Sequence, residues 1–460
     1  MVDIAVIGAG ISGLSCAWQL RRGRRAQGER SGAACDAVAH GTPKVTLYEA
    51  NAYLGGHAHT VDAKVDDVTW PVDTGFLVFN HRTYPQLVRL FETLGVETVK
   101  SEMTFSVRLT GSGTRAIEWA GTDLNSVFIQ RRNLADPRFL RMLADILRFN
   151  KEASALGRLG ETVTASWTLG EFLDHHHFSP AFRNWYLLPM AAAIWSCSTA
   201  QMREFPLATF VRFCANHGLL QVSDRPQWYT VKGGAREYVK KIAARLEDIR
   251  VAEPALAVSR GRTDGHGNGK VSVRSARGTA LYDQVVFACH SDETLGLLND
   301  ADRVERSLLG AIRYQPNHAI LHTDASVLPR RRGAWAAWNY QCGIDSAAPA
   351  ERAVCVHYLI DKLQPLPFKR AVIVSLNAFE PPAASSILQE FDYAHPVFDA
   401  AAAAAQRRLP DIQGVRDTWF CGAWTRYGFH EDGLRSGLAV ADAILAHGAS
   451  QRTGDARLAA

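Results

Sequence analysis

Three glycines near the start of the chain, Gly8, Gly10 and Gly13 in IGAGISG, stand at the GxGxxG spacing that brings a backbone against a pyrophosphate. The first closes a tight turn, the second admits the phosphates, and the third lets a helix pack closely on the strand before it. Phosphate oxygens would then face the amides of Ile11 and Ser12, at a helix N-terminus whose dipole favours anions. Glu49, the acid that ends KVTLYE, supplies what such a site needs next, a carboxylate to hydrogen-bond an adenosine ribose. The usual interval to that acid is about 20 residues. Here it is longer, and residues 22–43, rich in glycine, alanine and charge without periodicity, read as an exposed loop inserted between helix and strand. Gly55 and Gly56, followed by His57, offer a second close backbone approach of the kind a large cofactor requires. Unliganded, the same residues would make an ordinary strand, turn and helix; the acid-ended strand is what favours a dinucleotide.

A second group closes the chain. Gly422 follows a strand over 418–421, and Asp432-Gly433 precedes a helix over 434–445. His430 and Glu431 stand beside that helix start, where they could act as acid and base or simply cap the helix and balance its dipole.

These residues need elements to hold them. Ile4, Val6 and Ile7 read as a buried parallel strand, and Ala17, Trp18 and Leu20 as a helix face. Residues 60–65 and 68–72 make a hairpin turning at Asp66-Asp67. From about 82 to 220 the pattern is mainly helical, with helices over 84–94 and 138–151. The second sets Phe139, Leu140, Leu143, Ile146 and Leu147 beside Arg138, Arg141, Arg148 and Lys151, a basic amphipathic face that suits a solvated helix or an anionic lipid surface. The run WYLLPMAAAI at 185–194 is too short to span a bilayer and reads as core or the lining of an apolar pocket. Further on, VKGG at 231–234 precedes a helix over 237–246 and a strand over 249–251, and strands follow at 258–260, 271–274 and 281–288, with a turn over 261–269. Residues 318–322, 335–340, 353–359 and 371–376 alternate as strands of a mixed or antiparallel sheet. Trp335, Trp338, Tyr340 and Tyr358 would give it an aromatic face, fit either for sheet core or for a substrate wall.

Composition narrows the classes. At 460 residues, with 47% hydrophobic and 21% charged residues, the chain suits a globular protein of two or more lobes. A net charge of +5 is too mild to argue for nucleic acid. Eight cysteines include no CxxC pair and suit reduced, packed thiols of a cytoplasmic enzyme. His175-His176-His177 cannot converge on one ion from consecutive positions, so no metal is expected. The chain starts directly with a folding strand, and no targeting segment is read.

The succession of GxGxxG, the strand ending in Glu49, Leu54-Gly55-Gly56-His57 and Asp73-Thr74-Gly75-Phe76-Leu77-Val78-Phe79-Asn80 resembles the flavin-containing amine oxidase and phytoene desaturase superfamily. Pro189-Met190, Ile194-Trp195-Ser196, Gly422-Ala423-Trp424 and Gly428 to Leu434 extend the likeness to a bacterial branch of FAD oxidoreductases, similar to the flavoprotein module of plant cyclopropane fatty acid synthases. The resemblance implies FAD as cofactor, backbone contact to adenine from Val251, and Gly422, Asp432, Gly433 and Leu434 near the flavin ring. Trp424 departs from the acid many amine oxidases carry there, and no lysine matches the one that holds water at flavin N5.

The expected fold is α/β. A discontinuous Rossmann-like FAD-binding domain over 1–80, 225–295 and 412–450 is joined to an α+β substrate domain of helices and a mixed sheet over 81–224 and 296–411, with 451–460 as a flexible tail. The expected activity is dehydrogenation of a small or lipid-like substrate, a modified fatty acyl chain by resemblance. The rivals are a flavin amine oxidase and a non-catalytic FAD-binding partner of a lipid-modifying enzyme. The location expected is cytoplasmic, with peripheral contact at the inner membrane face.

Overall fold

Strand Asp3–Ile7 is apolar on both sides because it lies at the centre of a five-stranded parallel sheet. Its order is Asp248–Arg250, Lys44–Tyr48, Asp3–Ile7, Gln284–Phe287 and Thr418–Phe420. The computed structural model describes residues 2–23, 43–110, 116–159, 167–221, 226–261, 270–343 and 354–458, so most of the inserted loop expected at 22–43 and of the turn at 261–269 lies outside the described residues. One face of the parallel sheet is covered by helices Ile11–Arg22, Pro85–Leu94, Arg236–Ala243 and the long closing helix His430–Leu458. The other face carries a three-stranded antiparallel layer over 255–282 with helices Arg303–Leu309 and Ala400–Arg408.

Several expected boundaries move for physical reasons. Helix Pro85–Leu94, placed in the second lobe by sequence, buries Leu87, Leu90, Phe91 and Leu94 in the core of the parallel sheet. Residues 298–312 and helix Ala400–Arg408 pack on that sheet's other face, so they too belong with the first core. The expected strand over 281–288 is two strands, Gly278–Tyr282 and Gln284–Phe287, broken at Asp283, whose carboxylate accepts from the Asp3 amide at 2.8 Å. The closing helix starts at His430 rather than 434, so Asp432 and Gly433 lie in its first turn, and it continues through 451–458, where a flexible tail was expected. The hairpin Thr60–Val65/Val68–Asp73 turns at Asp66 and Asp67, both at positive φ, as a tight two-residue loop requires.

The second lobe is a seven-stranded mixed sheet packed on helices between 137 and 216. Its edge strand Ile387–Val397 has no counterpart in the sequence reading: Phe391, Tyr393 and His395 do alternate with polar residues, but Pro396 and the few aliphatic residues weaken the signal. Trp338, Tyr340 and Tyr358 face the helices, but Trp335 packs on the opposite side with Val327, Leu328 and Leu359, so the expected four-residue aromatic face is one of three. That opposite side carries a directed chain of hydrogen bonds. The Asp324 amide donates to His322 Nδ1 (3.1 Å), so His322 Nε2 donates to Ser375 Oγ (2.6 Å). Ser375 in turn donates to His357 Nδ1 (2.6 Å), and His357 Nε2 to Gln341 Oε1 (2.8 Å). The run at 185–194 is buried core that opens with a π-helical turn, Arg183–Leu187, before helix Leu188–Trp195; Pro189, with no N–H to give, tolerates the wide turn.

Candidate functional site

The opening glycines form a cradle. Gly8 sits at φ +102°. A Cβ on Gly13 would meet the Gly8 carbonyl oxygen at 1.8 Å, so only glycine lets the helix approach the strand this closely. Gly10 differs: a Cβ there would meet nothing within 4 Å, leaving open space beside the backbone at the helix start. Helix Ile11–Arg22 has no side-chain cap and no acid in its first turn, so the N–H groups of Ile11, Ser12 and Gly13 point out unpaired by the helix. This is an anion site by geometry and by charge.

Glu49 closes one side. Its buried side chain accepts from the Ala9 amide at 2.8 Å and from the Asn51 amide at 2.8 Å, which fixes it at the glycine loop with lone pairs to spare. Main-chain bonds from Glu49 to Arg250 and from Glu253 to Glu49, both 2.9 Å, bring Val251 beside it, just past the end of strand Asp248–Arg250. Gly55 donates to the Ala9 carbonyl at 2.9 Å, and a Cβ on Gly56 would lie 3.2 Å from Gly10 Cα, so the second glycine pair forms the facing wall.

His57 extends that wall. Its Nε2 is buried without a hydrogen-bond partner, and its ring lies 5.1 Å from Tyr393 and 5.1 Å from His395. Burial, followed by the neighbouring histidines, holds its pKa well below the ordinary imidazole value, so the ring is neutral. An orphaned polar atom beside a glycine cradle is what a polar cofactor would satisfy.

The chain's end meets its beginning here. A Cβ on Gly433 would lie 2.9 Å from Ile11 Cγ2 and Ser12 Oγ, and one on Gly437 2.2 Å from the Ser12 carbonyl oxygen. The Gly422 N–H donates to Ser436 Oγ at 2.9 Å, and the Trp424 indole lies over Gly422, donating to the Cys289 carbonyl at 3.2 Å. Trp424 thus seals the carboxyl end of strand Gln284–Phe287 where an acid was anticipated. Leu434 is fully buried in the helix–sheet core, so neither its side chain nor its main chain is exposed at the site.

His430 stacks on Phe76, ring centroids 3.9 Å apart, and its Nε2 bonds the Tyr238 hydroxyl at 2.7 Å. Phe76 in turn donates its amide to the His57 carbonyl at 2.7 Å, joining the two halves of the site. Burial pushes His430 down to about 3 and keeps the Tyr238 phenol protonated. The neutral imidazole and the protonated phenol share this bond, which holds the ring in place against Phe76.

Glu431, paired with His430 as a candidate acid or base, has another task. Its two oxygens accept from the amides of Gln86 and Leu87, each at 3.0 Å, and so cap helix Pro85–Leu94. That engagement favours the capping alternative over proton transfer. Asp432 accepts from the Phe429 amide at 3.1 Å and is pushed up to about 6 by burial. Tyr238, His395 and Gly437 were not picked out by sequence, and Phe76 was read only as part of the segment from Asp73 to Asn80 that carries the family likeness. Tyr238 looked like an ordinary apolar-face residue of its helix, and the alternation Phe391, Tyr393, His395 was the one available signal for the strand that brings His395 in.

Among the described residues no cluster of His, Cys, Asp or Glu is placed to hold a metal, and none of the seven described cysteines forms a disulfide. The family model for flavin containing amine oxidoreductases matches residues 11–445. No curated protein sequence matches. Among solved structures, one assigned as a protoporphyrinogen oxidase from Exiguobacterium sp. 255-15 is 16% identical with a TM-score of 0.65, covering 97% of this chain and 99% of its own. Cyclohexylamine oxidase from Brevibacterium oxydans is 17% identical with a TM-score of 0.62 over 97% and 99%. A CLA-producing fatty acid isomerase from P. acnes is 14% identical with a TM-score of 0.61 over 95% and 97%. At these identities the likeness shows the fold.

Proposed function

The chain belongs to the flavin containing amine oxidoreductase family and is an FAD-dependent oxidoreductase, and from that premise we propose that it oxidises an apolar, lipid-like substrate, an acyl chain in the first instance. In this reading the pyrophosphate of FAD is held by the amides of Gly10, Ile11 and Ser12, with Gly8 and Gly13 shaping the cradle. Glu49 takes a ribose hydroxyl, Val251 lies along adenine, and Gly55, Gly56 and His57 form the opposite wall. Gly422, Asp432 and Gly433 supply main chain near the ring. When bound, the flavin supplies the hydride acceptor.

One observation carries the choice of substrate. A cleft walled by Trp195, Cys197, Phe205, Pro396 and Phe398, with Gln201, Glu204, Arg313 and Asp399 completing its lining, runs between helix Leu188–Trp195 and the end of the edge strand. Its floor touches the loop before His430: Trp195 Nε1 donates to the Tyr427 carbonyl at 3.3 Å, and a Cβ on Gly428 would lie 2.9 Å from Phe398 Cε2. Trp195 and Phe429 rings stand 6.2 Å apart, so the apolar wall continues to the residue beside His430. The apolar wall suits an alkyl group; of the charged lining, Asp399 is already paired with Arg313 at 2.8 Å and Glu204 faces solvent. His430, neutral and held by Phe76 and Tyr238, orients whatever polar group accompanies the chain.

The test is anaerobic reduction of the purified holoprotein, read as bleaching of the flavin absorbance. Fatty acids and phospholipids are expected to bleach it. Bleaching by amines alone would replace this reading with amine oxidation.

A further inference from the structure

The described residues carry large apolar side chains exposed at a dozen positions, and four of them, Leu124 (78% exposed), Leu134 (53%), Leu140 (44%) and Leu147 (61%), fall within one short stretch. Leu140, Ala144, Leu147 and Lys151 recur at helical steps along Pro137–Leu159, so they share one outward stripe, while Phe139, Met142, Phe149 and Ala153 face the core. Between 131 and 151 six cations, Arg131, Arg132, Arg138, Arg141, Arg148 and Lys151, accompany only two carboxylates, Asp136 and Asp145, and Asp145 is buried. The exposed run Arg330–Arg332 adjoins them, since a Cβ on Gly333 would meet Ile129 Cδ1 at 2.8 Å.

We propose that this face docks on an anionic phospholipid bilayer. Leu134, Leu140 and Leu147 would enter the boundary between headgroups and acyl chains, and Arg131, Arg132, Arg141 and Lys151 would meet phosphates. Exposed leucines interleaved with unbalanced cations fit neither half of the alternatives alone. A second copy of this face would set like charges together, and a solvated face has no use for leucines at these exposures. An amphipathic helix of this composition lies in the plane of the interface. Among the described residues no helix is long and apolar enough to cross a membrane. The inference stands on surface residues and is independent of the substrate assigned above.

Flotation of the FAD-loaded full chain with vesicles tests it, using phosphatidylcholine alone and phosphatidylcholine mixed with phosphatidylglycerol, at low and high salt. The holoprotein is expected to float with the anionic vesicles and to be released by salt. The double variant Leu140→Gln/Leu147→Gln should lower partitioning roughly tenfold. Arg131→Gln/Lys151→Gln should lower it about fivefold per charge removed. Both pairs are solvent-facing, and the flavin absorbance of each variant checks that it has folded. No binding to anionic vesicles, binding that neither pair weakens, or a dimer that the leucine pair dissociates in the absence of vesicles would each overturn the proposal.

Discussion

Glu431 accepts from two main-chain amides of another helix, and a carboxylate so placed holds structure. Replacing one oxygen by an amide NH2 sets a donor against a donor, so Glu431→Gln is expected to lose about 1–3 kcal/mol of stability. It should leave the rate of flavin reduction in the remaining folded protein unchanged. Thermal unfolding beside stopped-flow reduction checks this, and a large loss of rate at unaltered stability would return Glu431 to the chemistry. Its identity as a helix start was visible in the sequence; which helix it caps was not, because residues 86 and 431 meet only in three dimensions. His430 illustrates the same limit. Its type suggested proton transfer, but its neutrality follows from burial and its orientation from Phe76 and Tyr238, brought in from distant segments.

At the scale of elements, the opening and closing helices touch through glycine. Gly13 was read from the fingerprint. Gly433 was assigned to the cofactor, yet it also admits Ile11 and Ser12, and Gly437 lies against the Ser12 carbonyl. Gly437→Ala is expected to push these helices apart at a cost of about 1–3 kcal/mol, by overpacking a tight contact. The shift acts on the helix whose amides face the phosphates, so FAD retention should fall as well. Flavin absorbance after gel filtration, together with the melting temperature, reads both effects; full retention would show that the cradle does not depend on this contact.

For the molecule as a whole, buried titratable groups set a pH window. His217, His322, His357, His395 and His430 are held neutral by burial, pushed down to about 4, 4, 3, 4 and 3. Each binds its proton more readily unfolded, so its contribution is complete above about 6.5 and is lost as pH falls from there towards the folded values. Asp73, which ties Thr60, the Ala235 amide and Gln364 together, and Asp432 act in the opposite sense. Burial raises them to about 7 and about 6, so their contribution is lost as pH rises through that range. Asp361, Asp417 and Glu431 are also raised by burial, and His57 and His59 also lowered, so among the described residues the histidines outnumber the carboxyls seven to five. The melting temperature is therefore expected to be highest near neutrality and to fall as pH drops from 6.5 to 5; a flat profile over that span would contradict it. Local order did settle a good deal: the glycine fingerprint, the acid-ended strand, the hairpin at Asp66-Asp67 and the apolar helix faces depend on neighbours in the chain and on periodicity, and those signals survive without the fold. What the tertiary structure decided is everything that joins distant segments. It placed the edge strand with Tyr393 and His395, the meeting of Gly433 with Ile11, the separation of Trp335 from the other sheet aromatics, and the cleft leading to Phe429, because packing between remote surfaces leaves no period in a sequence.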